Sequence, residues 1–122
     1  MKKYGFSKAN RLLNRADFIQ LSKNKGARRS RSVADLYFII AFLPGQYDHN
    51  RLGITVTRRV GNAVVRNRIK RAAREAFRHN RFVIEGNWDL NVIAKKPSAD
   101  ISSGRLQASL KKLFSKIKGG YH

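Results

Sequence analysis

The sequence predicts an α+β fold, a small sheet with helices packed on it. Three observations carry this expectation. The chain has 122 residues, 42% of them hydrophobic, with seven Phe, four Tyr and one Trp, which suits one ordinary domain with a real core. Two stretches alternate apolar and polar residues as strands do, and two others repeat apolar residues at helical spacing. The elements read in the order helix, strand, strand, helix, strand, helix, with no internal repeat and no low-complexity linker.

Residues 1–13 are basic and lightly apolar, and are expected to form an extended arm on the single domain 1–122. Asn14 is placed to cap a short helix, with Asp17 at its third position and Phe18 and Leu21 on one side. Lys23 to Ser32 carries Lys23, Lys25, Arg28, Arg29 and Arg31 around Gly26 and reads as a basic loop. Val33 to Leu43 reads as one long strand, broken by Pro44 and Gly45. After a polar turn at Gln46 to Asn50, Arg51 to Val60 reads as a second strand. In it Leu52, Ile54 and Val56 alternate with Gly53, Thr55 and Thr57. Gly61 ends it, and Asn62 caps a central helix running to about Phe82. Gly86 and Asn87 form a break before a third strand, Trp88 to Lys95, with Trp88, Leu90, Val92 and Ala94 on one side. Pro97 stops that strand. Ser102 or Ser103 caps a last helix whose stripe is Leu106, Leu110, Leu113, Phe114 and Ile117, and Gly119 and Gly120 end it.

Charge points to the partner. Lys and Arg number 27 against seven Asp and Glu, for a formal net charge of +20. A compact domain with that charge repels itself, so a strongly acidic partner is implied. Nucleic acid is the first candidate, through counterion release from phosphates. A membrane is the second. The longest apolar run, Val33 to Leu43, is about half the roughly 20 residues that a spanning helix needs. Polar residues interrupt any signal-peptide pattern at the start. The chain has no Cys, which excludes disulfides and thiolate metal sites and makes a reducing cytoplasm the simplest home.

The central helix divides into two faces. At 100° per residue from Val65, Ile69, Ala72, Ala73 and Ala76 share an apolar sector with Phe77 at its edge. Asn67, Arg71, Arg74 and Arg78 lie opposite, Lys70 lies nearer the border, and Arg66 and Arg68 flank the stripe on either side. A solvated surface helix mixes charge signs, but Arg58 to Arg81 holds nine Arg or Lys against Glu75 alone. Eight of the nine are Arg, which suits bidentate phosphate contact and stacking on bases. No helix-turn-helix, zinc-finger or basic-zipper spacing is present. A basic helix lying on a sheet fits structured RNA, which is read by shape and phosphates.

Residues 51 to 78, RLGITVTRRVGNAVVRNRIKRAAREAFR, closely resemble the protein subunit of bacterial ribonuclease P. The centre of the match is Arg66-Asn67-Arg68 followed by Ile69, Lys70, Arg71, Arg74 and Glu75. Val60-Gly61-Asn62-Ala63 precedes it, Asp17-Phe18 stands upstream, and Val92-Ile93-Ala94-Lys95-Lys96-Pro97 stands downstream. The resemblance implies an α/β sandwich with a left-handed βαβ crossover, like domain 2 of ribosomal protein S5. It implies a subunit that assists endonucleolytic removal of the 5′ leader from precursor tRNA. The partners are then a catalytic RNA and precursor tRNA, with no membrane and no obligate protein partner. On the resemblance Arg66, Asn67, Arg68, Lys70, Arg71 and Arg74 face the catalytic RNA. A cleft between the first helix and the sheet takes the single-stranded leader, at positions matching Phe18, Thr57, Arg59, Lys95 and Lys96. Tyr37 is a further candidate there, since an exposed ring can stack an unpaired base. Relatives often carry a second aromatic four residues after the Phe18 position, where this chain has Ser22, and two lysines where it has Arg58-Arg59.

No protein active site or protein-only metal site is expected. His49, His79 and His122 are scattered, and Asp48, Asp89 and Asp100 sit near turns or strand ends rather than in a two-metal cluster. The Mg²⁺ of such an enzyme is expected to be held mainly by RNA phosphates. A structural RNA-binding protein of ribosomal type is the alternative that composition also fits.

Overall fold

The computed structural model describes residues 31–45, 48–84 and 86–117. The basic arm, the helix capped by Asn14 with Phe18, Leu21 and Ser22, and the closing Gly119 and Gly120 lie outside the described residues.

Four strands form one sheet. They are β1 (Arg31–Ala34), β2 (Phe38–Pro44), β3 (Arg51–Thr55) and β4 (Trp88–Ala94), in the order β1-β2-β4-β3. Strand β2 pairs antiparallel with β1 and β4, while β3 runs parallel to β4. The helix α1 (Ala63–Asn80) makes the crossover between the parallel pair, and α2 (Ser103–Phe114) follows β4 after a 3-10 turn at Lys96–Asp100.

The expected long strand at Val33 to Leu43 is two strands. Asp35, the polar residue in the run, folds the chain back on itself. Its Oδ1 accepts the backbone N–H of Tyr37 (2.8 Å) and Phe38 (2.9 Å), and its own N–H donates to the Phe38 carbonyl (3.0 Å). A short acidic side chain that accepts from amides two and three residues on stabilises a turn. Strand β1 therefore also takes Arg31 and Ser32 from the expected basic loop. The expected strand Arg51 to Val60 ends early, at Thr55, where its pairing with Ile93 closes. Beyond it the Val60 N–H donates to the Thr57 carbonyl (3.1 Å), so Arg58 and Arg59 stand in a turn and not on a strand.

Both helix starts follow from their caps. The Asn62 side chain accepts from the Val65 N–H (3.0 Å), and Ser102 accepts from the Arg105 N–H (3.2 Å). Gly61 is required by space, because a Cβ there would lie 2.9 Å from Val65 Cγ1. Helix α1 stops at Asn80, two residues before the expected end, and gives way to a 3-10 turn at Arg81–Val83. Gly86 then turns the chain with φ +93°, a region that side-chain-bearing residues avoid.

The core lies between one sheet face and the two helices. Phe38, Ile40 and Phe42 of β2, Leu52 of β3, and Leu90 and Val92 of β4 meet Ile69 and Phe77 of α1 and Leu106, Leu110, Leu113 and Phe114 of α2. Phe42 meets Trp88 edge-on at 5.1 Å, and Phe77 meets Phe114 edge-on at 6.0 Å. The buried residues of α1 are Ile69, Ala72, Ala73, Ala76 and Phe77, the expected stripe. Its alanines are buried in the core that the sheet shares with both helices, and α1 runs close against α2. With the alternate side chains of the sheet turned inward, the second face carries a polar set. Arg51 grips Asp89 with two nitrogens (3.0 and 2.9 Å), and Thr55 Oγ1 donates to Asn91 Oδ1 (3.2 Å).

Candidate nucleic-acid interface

With its apolar stripe committed to the core, α1 turns its guanidinium side to solvent. Asn67, Arg71 and Arg74 are exposed, and among the described residues none of these side chains makes a hydrogen bond or ion pair. Cations left unpaired on one face are available to phosphates. Lys70, half-buried, stands at the border. Arg78 is taken up differently: it binds Glu75 one turn back, and His79 Nε2 lies 3.7 Å from the same carboxylate.

The two arginines that flank the stripe are anchored to the protein itself. The Arg66 guanidinium donates to the Gly61 carbonyl (3.2 Å), bracing the strand-to-helix junction. Arg68 reaches across to the turn before α2, giving one nitrogen to the Ile101 carbonyl (2.8 Å) and another to the Ala99 carbonyl (3.0 Å). A guanidinium has five N–H groups in a fixed fork, so each keeps donors to spare. The six residues expected to face RNA thus divide. Asn67, Arg71 and Arg74 form an open surface, Lys70 edges it, and Arg66 and Arg68 are half-buried struts at its borders.

A second basic cluster stands where β3 runs into α1 and β4 runs into its 3-10 turn. Thr57, Arg58, Arg59 and Lys96 are exposed there, and Lys96 Nζ approaches the Arg59 carbonyl at 3.4 Å. Lys95 is more constrained. Its N–H donates to the Tyr37 carbonyl (2.8 Å) and its Nζ to the Asp35 carbonyl (2.7 Å), which ties it to the β1–β2 turn. Tyr37 itself is half-buried and lines an open cleft of about 270 Å³ with Asp35, Arg105, Ala108, Ser109 and Lys112. Tyr37 therefore stands on the α2 side, apart from Thr57, Arg59 and Lys96, while Phe18 lies outside the described residues. The two basic surfaces are joined by Arg68, because the turn that it holds carries Lys96.

Sequence reasoning passed over several polar residues. Asn91 is only 7% exposed and faces away from the core beside Thr55. The alternation of Leu90 and Val92 carried that signal, since the residue between them must face the other way. Arg105 and Lys112 lie seven residues apart on α2, the spacing of one helix face, and flank Tyr37.

Among the described residues no three His, Cys, Asp or Glu side chains come together as metal ligands, and no helix is long and apolar enough to cross a membrane. Residues 6–118 match the family model for ribonuclease P. The chain is 49% identical over 117 residues to the ribonuclease P protein component of Desulforapulum autotrophicum, covering 96% of both chains. To that of Desulfatibacillum aliphaticivorans it is 42% identical over 120 residues, 98% of each. Among solved structures it is similar to the RNase P protein of Staphylococcus aureus (TM-score 0.77, 36% identity, 89% of this chain and 95% of that one). It is likewise similar to that of Thermotoga maritima (TM-score 0.78, 33% identity, 90% and 99%).

Proposed function

Since the chain belongs to the ribonuclease P protein component family, we propose that it binds the catalytic RNA through α1 and the 5′ leader of precursor tRNA through the second cluster. Its role is to assist endonucleolytic removal of the leader, and the chemistry belongs to the RNA. The observation that carries this reading is the open row of Asn67, Arg71 and Arg74, unpaired among the described residues on a helix whose other side is fully packed.

Phosphates arriving at this row displace water and counterions without first breaking a protein ion pair. Thr57, Arg59 and Lys96 supply a hydroxyl and two cations for a single strand crossing the end of the sheet, with Phe18 as the base-stacking residue on the family pattern. Tyr37, with Lys95 at its side, extends the leader path toward α2. The reaction's divalent metal and attacking water belong to the RNA, whose phosphates hold Mg²⁺. The place of work is the cytoplasm, where precursor tRNA is matured.

The test is a cleavage assay at low Mg²⁺ with precursor tRNA, with and without the catalytic RNA. Cleavage at the mature 5′ end is expected only when that RNA is present, and faster with the protein than without it. Cleavage by the protein alone would contradict the reading. Binding to RNA with no effect on leader removal would favour a structural RNA-binding protein of ribosomal type.

A further inference from the structure

Phe82 is 92% exposed, the most exposed large apolar side chain among the described residues. A single apolar residue on a surface is ordinary; the location of this one is informative. It stands in the 3-10 turn that follows α1, just after the run Arg78-His79-Asn80-Arg81, at the far end of the helix that carries Arg71 and Arg74. It is also held in place. Asn80 leaves helical geometry (φ −118°, ψ 19°) and caps the Ala76 carbonyl with its side chain (2.8 Å). Helical geometry resumes at Arg81 (φ −57°, ψ −32°), and the Ile84 N–H closes the turn on the Arg81 carbonyl (3.3 Å). Ile84 is buried at 5% exposure and anchors the turn, so Phe82 projects from a fixed point. The sequence around the ring is basic on balance: Arg71, Arg74, Arg78 and Arg81 precede it, against Glu75, which Arg78 and His79 engage, and Glu85.

We propose that Phe82 is a stacking platform for an unpaired base of the RNA that lies along α1. This rests on the reading of α1 as the catalytic-RNA surface. Every base has a π-face, and an exposed ring among cations serves both halves of an unpaired nucleotide, its base and its phosphate. A duplex keeps its base faces stacked internally, so the fitting partner is a bulge, loop or strand end. A protein partner fits poorly: Val83, the next residue, is 39% exposed, and two neighbouring apolar side chains fall far short of the continuous patch that a protein interface needs, while the exposed Val64 lies at the opposite end of α1.

The experiment titrates the full chain with the catalytic RNA at several salt concentrations, for the wild type, Phe82→Ala, Phe82→Leu and Phe82→Tyr. Wild-type binding tests the α1 reading, and its absence would overturn that reading and this inference with it. Given binding, Phe82→Ala and Phe82→Leu are each expected to weaken affinity about tenfold with the salt slope unchanged, since every phosphate keeps its cation. Phe82→Tyr should bind within about twofold of wild type, because it retains the ring. Wild-type affinity in the Ala variant, or full retention by Leu, would overturn the stacking role alone. Melting temperatures of all four proteins should agree, as an exposed side chain adds little to the fold.

Discussion

Arg68 shows how a residue can belong to a binding motif and to the scaffold at once. Its two hydrogen bonds to the Ala99 and Ile101 carbonyls join positions more than thirty apart in sequence. Nothing in the helical projection could show this: the projection puts Arg68 at the border of the apolar stripe, but the carbonyls that it meets belong to a turn whose position only the fold sets. Each bond from a charged donor to a partly buried carbonyl contributes about 1.5–3 kcal/mol at best, and solvent screening lowers that. Arg68→Ala is therefore expected to destabilise the protein by about 1–3 kcal/mol in denaturant titration. Arg68→Lys should recover only part of this, because an ammonium cannot span two carbonyls as a fork does. A variant as stable as wild type would show that the struts are idle. Loss of RNA binding in Arg68→Ala would thus mix two causes, whereas Arg71 and Arg74 report on charge alone.

At the scale of elements, local pattern succeeded where one helix or strand decides its own form. The stripe of α1, its Asn62 cap, the inward residues of β4 and the α2 stripe from Leu106 to Phe114 stand as the periodicities required, while α2 ends at Phe114 and Ile117 of the expected stripe is buried beyond it. It failed where a side chain overrides the pattern. The apolar run from Val33 to Leu43 favours a single strand, yet Asp35 offers its carboxylate to two amides and reverses the chain. Arg58 and Arg59 left the expected strand because β4, the neighbour of β3 in the ladder, ends at Ala94 and gives way to the 3-10 turn from Lys96, and the pairing stops at Thr55. The junction between β3 and α1 is the tightest of these elements. Gly61→Ala would push a methyl group to 2.9 Å from Val65 Cγ1, and the helix start would have to shift. An unfolding free energy lower by about 1–3 kcal/mol is expected, the usual cost of overpacking. An unchanged value would mean that the junction gives way at no cost, since Val65 Cβ also lies 3.0 Å from the added methyl and side-chain rotation does not move it.

The molecule as a whole carries a charge of +20 around a core of ordinary packing. Such a domain is held back by self-repulsion, and anything anionic that binds only the folded state stabilises it. The melting temperature is expected to rise with added sulfate or phosphate by more than equal ionic strength of chloride produces. An identical rise with both salts would show screening alone. The partner class was legible in the composition and in the row of arginines, and the family in the run from Arg51 to Arg78. The division of labour among those arginines was not, because it depends on which of them the fold uses for itself.

The central claim is that the open row on α1 binds the catalytic RNA through its phosphates. Affinity of the Arg71→Ala, Arg74→Ala double variant for that RNA, measured against salt concentration beside the wild type, tests it most directly. The variant should remain folded, bind more weakly, and show a log–log salt slope shallower by about two, one for each phosphate that no longer meets a guanidinium. An unchanged affinity with an unchanged slope would contradict the claim.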